Sequence, residues 1–230
     1  MKKRNKKEES FMSVLRNWSM TVLLTGAMLF GLQCYSGTNS LKFAQISDAH
    51  FFTGDTNTTY KMTAESPKLL DDAIEQINET SNISFVMFTG DQIDKPFEKE
   101  LSAFLPHTEN LKYPWYFAFG NHDTMVGGYL EPKLYMQLVN KYNKNYKFEK
   151  TYYSFIPQKG YKVIVLDSII REKLTSNGRL GDTQLEWLDN ELKSAKKDTV
   201  LIYLHVITRR ENFLFNYFRI RFFFGCKVFS

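Results

Sequence analysis

An α/β fold is predicted from three observations on the 230-residue chain. Short apolar runs bounded by Gly, Asp and Asn alternate with segments of helical periodicity, the pattern of strands feeding helices. The composition is 43% hydrophobic and 24% charged, with six prolines. It suits a chain that buries a substantial core and excludes collagen-like, disordered and disulfide-scaffold classes. The net charge of +5 is confined to the ends: residues 1–10 carry +3 and residues 206–230 carry +4, which leaves −2 for everything between. So neutral a body has no basic footprint, and no nucleic acid is expected as a partner.

In chain order, strands are predicted over Leu41–Ile46, Phe85–Phe88, Trp115–Phe119, Tyr152–Phe155, Tyr161–Leu166 and Val200–Leu204. Each is a short apolar run closed by turn residues. A helix over Pro67–Ile77 sets Leu69, Leu70, Ala73, Ile74 and Ile77 on one face, with Pro67 fit for a first turn. A second, with weaker periodicity, covers Leu130–Tyr142. A third, Thr183–Leu192, opens with Thr183 and Glu186 at capping-box spacing and aligns Leu185, Leu188 and Leu192. His107, in Leu-Pro-His-Thr, reads as a surface loop residue.

The ends differ from this body. Five Lys/Arg fall within residues 1–7, followed by a charge-free stretch from Asn17 to Leu41 whose apolar heart is Met20–Leu32. This is the layout of an export signal or N-terminal membrane anchor, assigned to residues 1–40. It is cleaved, kept as an anchor, or lipidated at Cys34. Residues 206–230 form a Phe-rich basic tail, read either as the product of an interrupted reading frame or as a membrane-binding segment. The two cysteines, Cys34 and Cys226, both lie outside residues 41–205, so the body has no internal disulfide and no thiol for catalysis or zinc.

Chemistry gathers at the strand ends. The first strand runs into Ser47-Asp48-Ala49-His50; in an extended segment, residues two apart share a side, so Asp48 and His50 can offer oxygen and nitrogen to one ion. The second ends in Thr89-Gly90-Asp91-Gln92-Ile93-Asp94, where Gly90 allows a tight turn that presents Asp91. The third ends in Phe119-Gly120-Asn121-His122-Asp123. A specified Gly-Asn-His-Asp string occurs by chance on the order of once in a thousand chains of this length.

These motifs in this order, with His205 closing a last apolar strand, resemble the calcineurin-like metallophosphoesterase superfamily over residues 41–205. The Gly181-Asp-Thr-Gln-Leu-Glu-Trp-Leu188 run is similar to a helix found before that strand in many members. The resemblance implies two packed mixed β-sheets flanked by helices. It also implies a metal-dependent phosphoesterase acting on a small phosphoester, with two divalent ions (Mn, Fe or Zn) at the strand ends. By resemblance, Asp48 and His50 bind the first ion, Asp91 bridges both, and Asn121 and His205 bind the second. A bridging carboxylate neutralises two cations, while imidazole and amide donors add no charge to repel phosphate. His122 then serves the transition state or the leaving oxygen, and Asp94 and Asp123 orient ligands.

The family's later Gly-His-x-His segment has no counterpart: the four histidines are His50, His107, His122 and His205. The expectation is therefore a C-terminally incomplete family domain that lacks its last strands and binds its ions incompletely. The alternative function is a truncated, non-catalytic, membrane-attached remnant or binding module. The signal segment predicts a catalytic body outside the cytoplasm.

Overall fold

The computed structural model describes residues 40–124, 129–173, 175 and 177–206. Six strands and four helices follow one another in this stretch. They are β1 (Phe43–Ile46), α1 (Ser66–Glu79), β2 (Phe85–Thr89), α2 (Glu98–Thr108), β3 (Trp115–Ala118), α3 (Pro132–Tyr142), β4 (Tyr153–Gln158), β5 (Tyr161–Val165), α4 (Asp182–Ser194) and β6 (Thr199–Tyr203). The readings of residues 1–40 and 206–230 fall, but for Ser40 and Val206, outside the described residues. Among the described residues no helix is long and apolar enough to cross a membrane.

Two three-stranded sheets result, in the orders β1-β2-β3 and β4-β5-β6. The first is wholly parallel, with Phe43 opposite Phe85 and Val86 opposite Trp115, because α1 and α2 return the chain to the same edge between strands. The second is mixed: β4 and β5 pair as an antiparallel hairpin, and β6 lies parallel to β5. All five residues of β2 are buried, as a central strand covered on both faces requires.

The space between the sheets is filled by aromatics. Phe155 of β4 stacks on Tyr116 at 3.6 Å between ring centres and meets Phe85 edge-on at 5.3 Å. The hydroxyl of Tyr153 accepts from Phe117 N (3.0 Å) and donates to Phe117 O (2.6 Å), pinning the edge of one sheet to the other. Strand alternation then sorts β5 and β6. Val163, Val165, Leu201 and Tyr203 join this core, while Ile164, Leu166 and Ile202 turn to Leu188 and Leu192 of α4.

Three local expectations change. Helix α2 lies where the sequence reading placed no helix: Pro106 falls in its last turn, and Leu101, Phe104 and Leu105 bury one face. His107 is accordingly no loop residue: its Nδ1 lies 2.5 Å from Asp71 of α1 and its ring 5.2 Å from that of Phe51. The α4 capping box does not form. The helix begins at Asp182 behind an extended Gly181, and the inward place one turn on is taken by Gln184, whose amide brackets the Asp167 backbone (2.8 Å to N and 2.8 Å to O).

Candidate metal centre

Because β1, β2 and β3 are parallel, their C-terminal ends open onto one edge, where an α/β sheet places ligands. Asp48 and His50 do not sit there in extended backbone as the spacing suggested. Both are left-handed, at φ 54° and 41°. Asp91 is the same at 51°, so three of the four non-glycine residues with positive φ among the described residues belong to this edge. Each conformation costs on the order of 1 kcal/mol or more and is held by the neighbouring loop. Asp48 N donates to Gly90 O at 3.1 Å, His50 N to Asp91 O at 2.9 Å, and Phe51 N to Gln92 O at 3.0 Å.

Two glycines make room. A Cβ on Gly90, itself at φ 98°, would stand 2.3 Å from the His205 ring, and one on Gly120 would stand 2.1 Å from Asp91 N and Oδ1. Only hydrogen fits between these loops. Asp91, with 6% of its side chain exposed, accepts from His122 N at 2.9 Å through Oδ1. Its Oδ2 faces three ring nitrogens: His205 Nε2 at 3.4 Å, His50 Nε2 at 3.6 Å and His122 Nε2 at 4.0 Å.

The remaining ring nitrogens fix how the imidazoles point. His205 Nδ1 lies 2.8 Å from Thr89 O and His122 Nδ1 2.7 Å from Asp94 O. Carbonyl oxygens only accept, so each ring carries its hydrogen on Nδ1 and turns Nε2 inward. Burial opposes charge on His205, yet the bond and charge of Asp91 outweigh it and push the group up to about 9. Burial likewise opposes charge on Asp91, but His205 and the His122 N–H hold its carboxyl below the usual value. For His50, burial wins and the pKa is lowered.

The site residues named from the sequence converge here. The ligand atoms of His50, Asp91 and His122 form one close set, and those of Asp48, Asp91 and His205 another, each within 4.8 Å. Asp91 belongs to both. His122 meets His50 edge-on, ring centres 4.7 Å apart, and half-buried Asn121 occupies the same turn. Asp94 Oδ1 stands 3.3 Å from His50 Nδ1. Asp123, fully buried, accepts from Gly120 N (2.7 Å) and Ile93 N (3.2 Å), tying two loops together. Burial first, and Asp91 second, push its pKa well up.

Two participants left no trace in the sequence pattern. Lys61 reaches Asp94 Oδ1 at 3.0 Å and His50 Nδ1 at 3.2 Å from a loop without periodicity. Arg171 donates to both oxygens of Asp167 (2.8 and 3.2 Å) and to Thr124 Oγ1 (2.9 Å), with its guanidinium 5.3 Å over Phe119. It thereby joins the end of β5 to the turn that bears His122.

Comparison with known proteins places this geometry. Residues 41–228 match the profile of the calcineurin-like phosphoesterases. Tartrate-resistant acid phosphatase type 5 of Homo sapiens is 25% identical over 210 residues, covering 82% of this chain and 62% of that protein. A probable glycerophosphodiester phosphodiesterase GpdQ of Arcobacter nitrofigilis is 27% identical over 164 residues, covering 70% and 55%. The chain thus spans about three-fifths of the length of these relatives. A solved dimetal phosphatase from Danio rerio superposes with a TM-score of 0.53 at 18% identity, covering 72% of this chain and 69% of that one, a likeness of fold.

Proposed function

This chain belongs to the calcineurin-like phosphoesterase family, and on that premise we propose that it hydrolyses small phosphomonoesters or phosphodiesters at a centre of two divalent metal ions. One observation carries the reading: a single oxygen, Asp91 Oδ2, is faced at 3.4, 3.6 and 4.0 Å by the Nε2 atoms of three histidines from three different elements. All three gaps are longer than a well-formed N–H···O hydrogen bond, and only that of His205 is short enough for a weak one. Two donors each about 2.1 Å from one ion at a tetrahedral angle stand about 3.4 Å apart, so the donors fit around cations.

Asp48, His50 and Asp91 would hold the first ion, and Asp91, Asn121 and His205 the second; the mixed oxygen and nitrogen set suits Mn, Fe or Zn. Bound there, the ions supply charge on the phosphoryl oxygens and a water acidic enough to attack near neutral pH. The chain's part is placement. His122, locked through Nδ1 on Asp94 O, keeps Nε2 free to hold a proton or give it to the leaving oxygen. Asp123 and the Asp94 carbonyl keep the two loops in register.

The test is hydrolysis of p-nitrophenyl phosphate and bis-p-nitrophenyl phosphate with and without Mn²⁺. Turnover of at least one, lost on chelation, is expected, and His122→Ala should lower kcat at least about 100-fold with Mn²⁺ content unchanged. No turnover at any metal loading would favour the second reading, a non-catalytic, membrane-attached remnant or binding module. Its support is the histidine count, four in the chain, of which three line this site. We place the body outside the cytoplasm, exported or anchored, on the support of the basic start and the apolar run over residues 20–32; cell fractionation tests this.

A further inference from the structure

Six large apolar side chains stand exposed among the described residues, and four of them sit on segments bonded to the loop of residues 91–96 or directly after it. Tyr60 and Met62 flank Lys61, whose ammonium reaches Asp94 Oδ1 at 3.0 Å. Tyr129 precedes Leu130, whose N–H donates to Pro96 O at 3.1 Å, and Phe97 follows Pro96 in the chain. Phe97 and Tyr129 stack on each other, with ring centres 5.7 Å apart and planes 23° from parallel. The pair is nevertheless uncovered. Phe97 is 37% exposed and Tyr129 82%, so the Tyr129 ring keeps a face free for a third ring. Apolar area left in water is unfavourable, yet the turn that carries it is fixed: Phe97 N donates to Lys95 O (2.7 Å), and Phe97 O accepts from Glu100 N (3.1 Å) and Leu101 N (3.2 Å) of α2.

We propose that Phe97 and Tyr129 form a specificity-determining platform on which a flat aromatic ring in the alcohol part of the phosphoester stacks. The inference rests on the phosphoesterase reading above and names a substrate class within it. Position carries the assignment. Phe97 lies three residues after Asp94, at most about 11 Å along the chain, and the Asp94 carbonyl anchors the His122 ring at 2.7 Å. His122 serves the leaving oxygen, so the alcohol departs on the side of this turn. A ring there meets an open aromatic face, whereas a small polyol gains nothing from it. Offset stacking adds its own attraction to the area covered. Because every aryl group or base has such a face, the platform selects flatness rather than one ring.

Two matched pairs of esters test this on the 230-residue chain with Mn²⁺: 2-phenylethyl against butyl phosphate, and uridine 5′-phosphate against ribose 5-phosphate. Within each pair a ring is added while the leaving oxygen stays that of a primary alcohol. In wild type, kcat/KM should favour the ring about three- to tenfold in at least one pair, and the pair that responds says whether the ring is an aryl group or a base. Tyr129→Phe should keep the ratio, and Tyr129→Ala should bring it to parity through loss on the ring-bearing ester. Ile156→Ser, which alters an equally uncovered side chain on β4, should leave the ratio as in wild type. Parity within both wild-type pairs, or a ratio that survives Tyr129→Ala, would overturn the proposal. So would a dimer in sedimentation that Tyr129→Ala dissolves, since the pair would then belong to a second copy. If no ester turns over, the hydrolase reading fails by itself. Binding of 2-phenylethylphosphonate against butylphosphonate, read by NMR at the Tyr129 ring, then decides the platform: tighter binding of the first upholds it, and equal binding overturns it.

Discussion

The first sheet supplies five candidate site residues, Asp48, His50, Asp91, Asn121 and His122, from three successive strand ends, whereas the second supplies one, His205 after β6. In the first, short crossovers bring parallel strands out at one edge, and each glycine-bounded turn adds its own residues locally. In the second, nothing local is enough. His205 arrives only because Phe155 packs under Phe85 and Tyr116, Tyr153 grips Phe117, and Arg171 ties Asp167 to Thr124. Its Nδ1 then closes onto Thr89 O, 116 residues earlier in the chain. One half of the site depends on turn geometry, and the other on the sandwich being closed.

The largest expected effect strikes where the halves meet. Asp91→Asn leaves an amide where three imidazoles face one carboxylate. Phosphoester turnover and Mn²⁺ content should both fall by more than about 100-fold, beyond the upper end of what outer groups cost a metal site. Assay and metal analysis on one preparation check this, and near-normal Mn²⁺ content would remove Asp91 from the centre.

Gly90→Ala should separate the halves. The added Cβ meets the His205 ring at 2.3 Å on a backbone at φ 98°, a strain of about 1–3 kcal/mol. Tm should fall by about 2–12 °C, with binding lost on the His205 side and kept on the His50 side; calorimetric Mn²⁺ titration would show one site in place of two. Arg171→Met breaks the tie rather than the site. It leaves the buried Asp167 carboxylate short of its partner, which should cost about 1–3 kcal/mol and lower kcat through the His122 turn. Arg171→Lys should restore part of the stability but not the two-pronged grip on Asp167.

The smallest effect belongs to the second sheet alone. Burial raises the Glu191 carboxyl, but hydrogen bonds from Lys162 and Ser154 outweigh it and hold the group below its ordinary value. A depressed carboxylate stabilises the fold above its unfolded pKa and loses that contribution as pH falls through the folded one. The wild-type stability curve should therefore drop slightly more steeply below about pH 4.3 than that of Glu191→Gln. Coincident acid limbs would show that the contact between β4, β5 and α4 adds nothing.

Much of the first half was legible as sequence. The six strands fall within a few residues of their predicted places, and the apolar stripe of α1 buries Leu70 and Ile74 as its period required. Leu69, counted on that stripe, is exposed at 49%. The motif residues from Asp48 to Asp123 were visible because each sits within a few positions of a strand end. The reason offered for Asp48 and His50 was not the operative one. Their shared orientation comes from left-handed backbone pinned to the next loop, which no period-two argument contains.

Composition, hydrophobic period and turn residues are properties of neighbours along the chain. By themselves they determined the α/β class and the strand ends; the site residues were implied by the resemblance of the motifs on those ends to a known family. The meeting of Asp91 with three imidazoles, the approach of Lys61 to His50, the docking of His107 on Asp71 and the bond from Arg171 to Thr124 were decided only by tertiary structure. Each joins groups between 11 and 114 positions apart in the sequence. Such distances are set by sheet register, by the glycines that let loops touch and by closure of one sheet on the other, and these become fixed only when the chain buries its core.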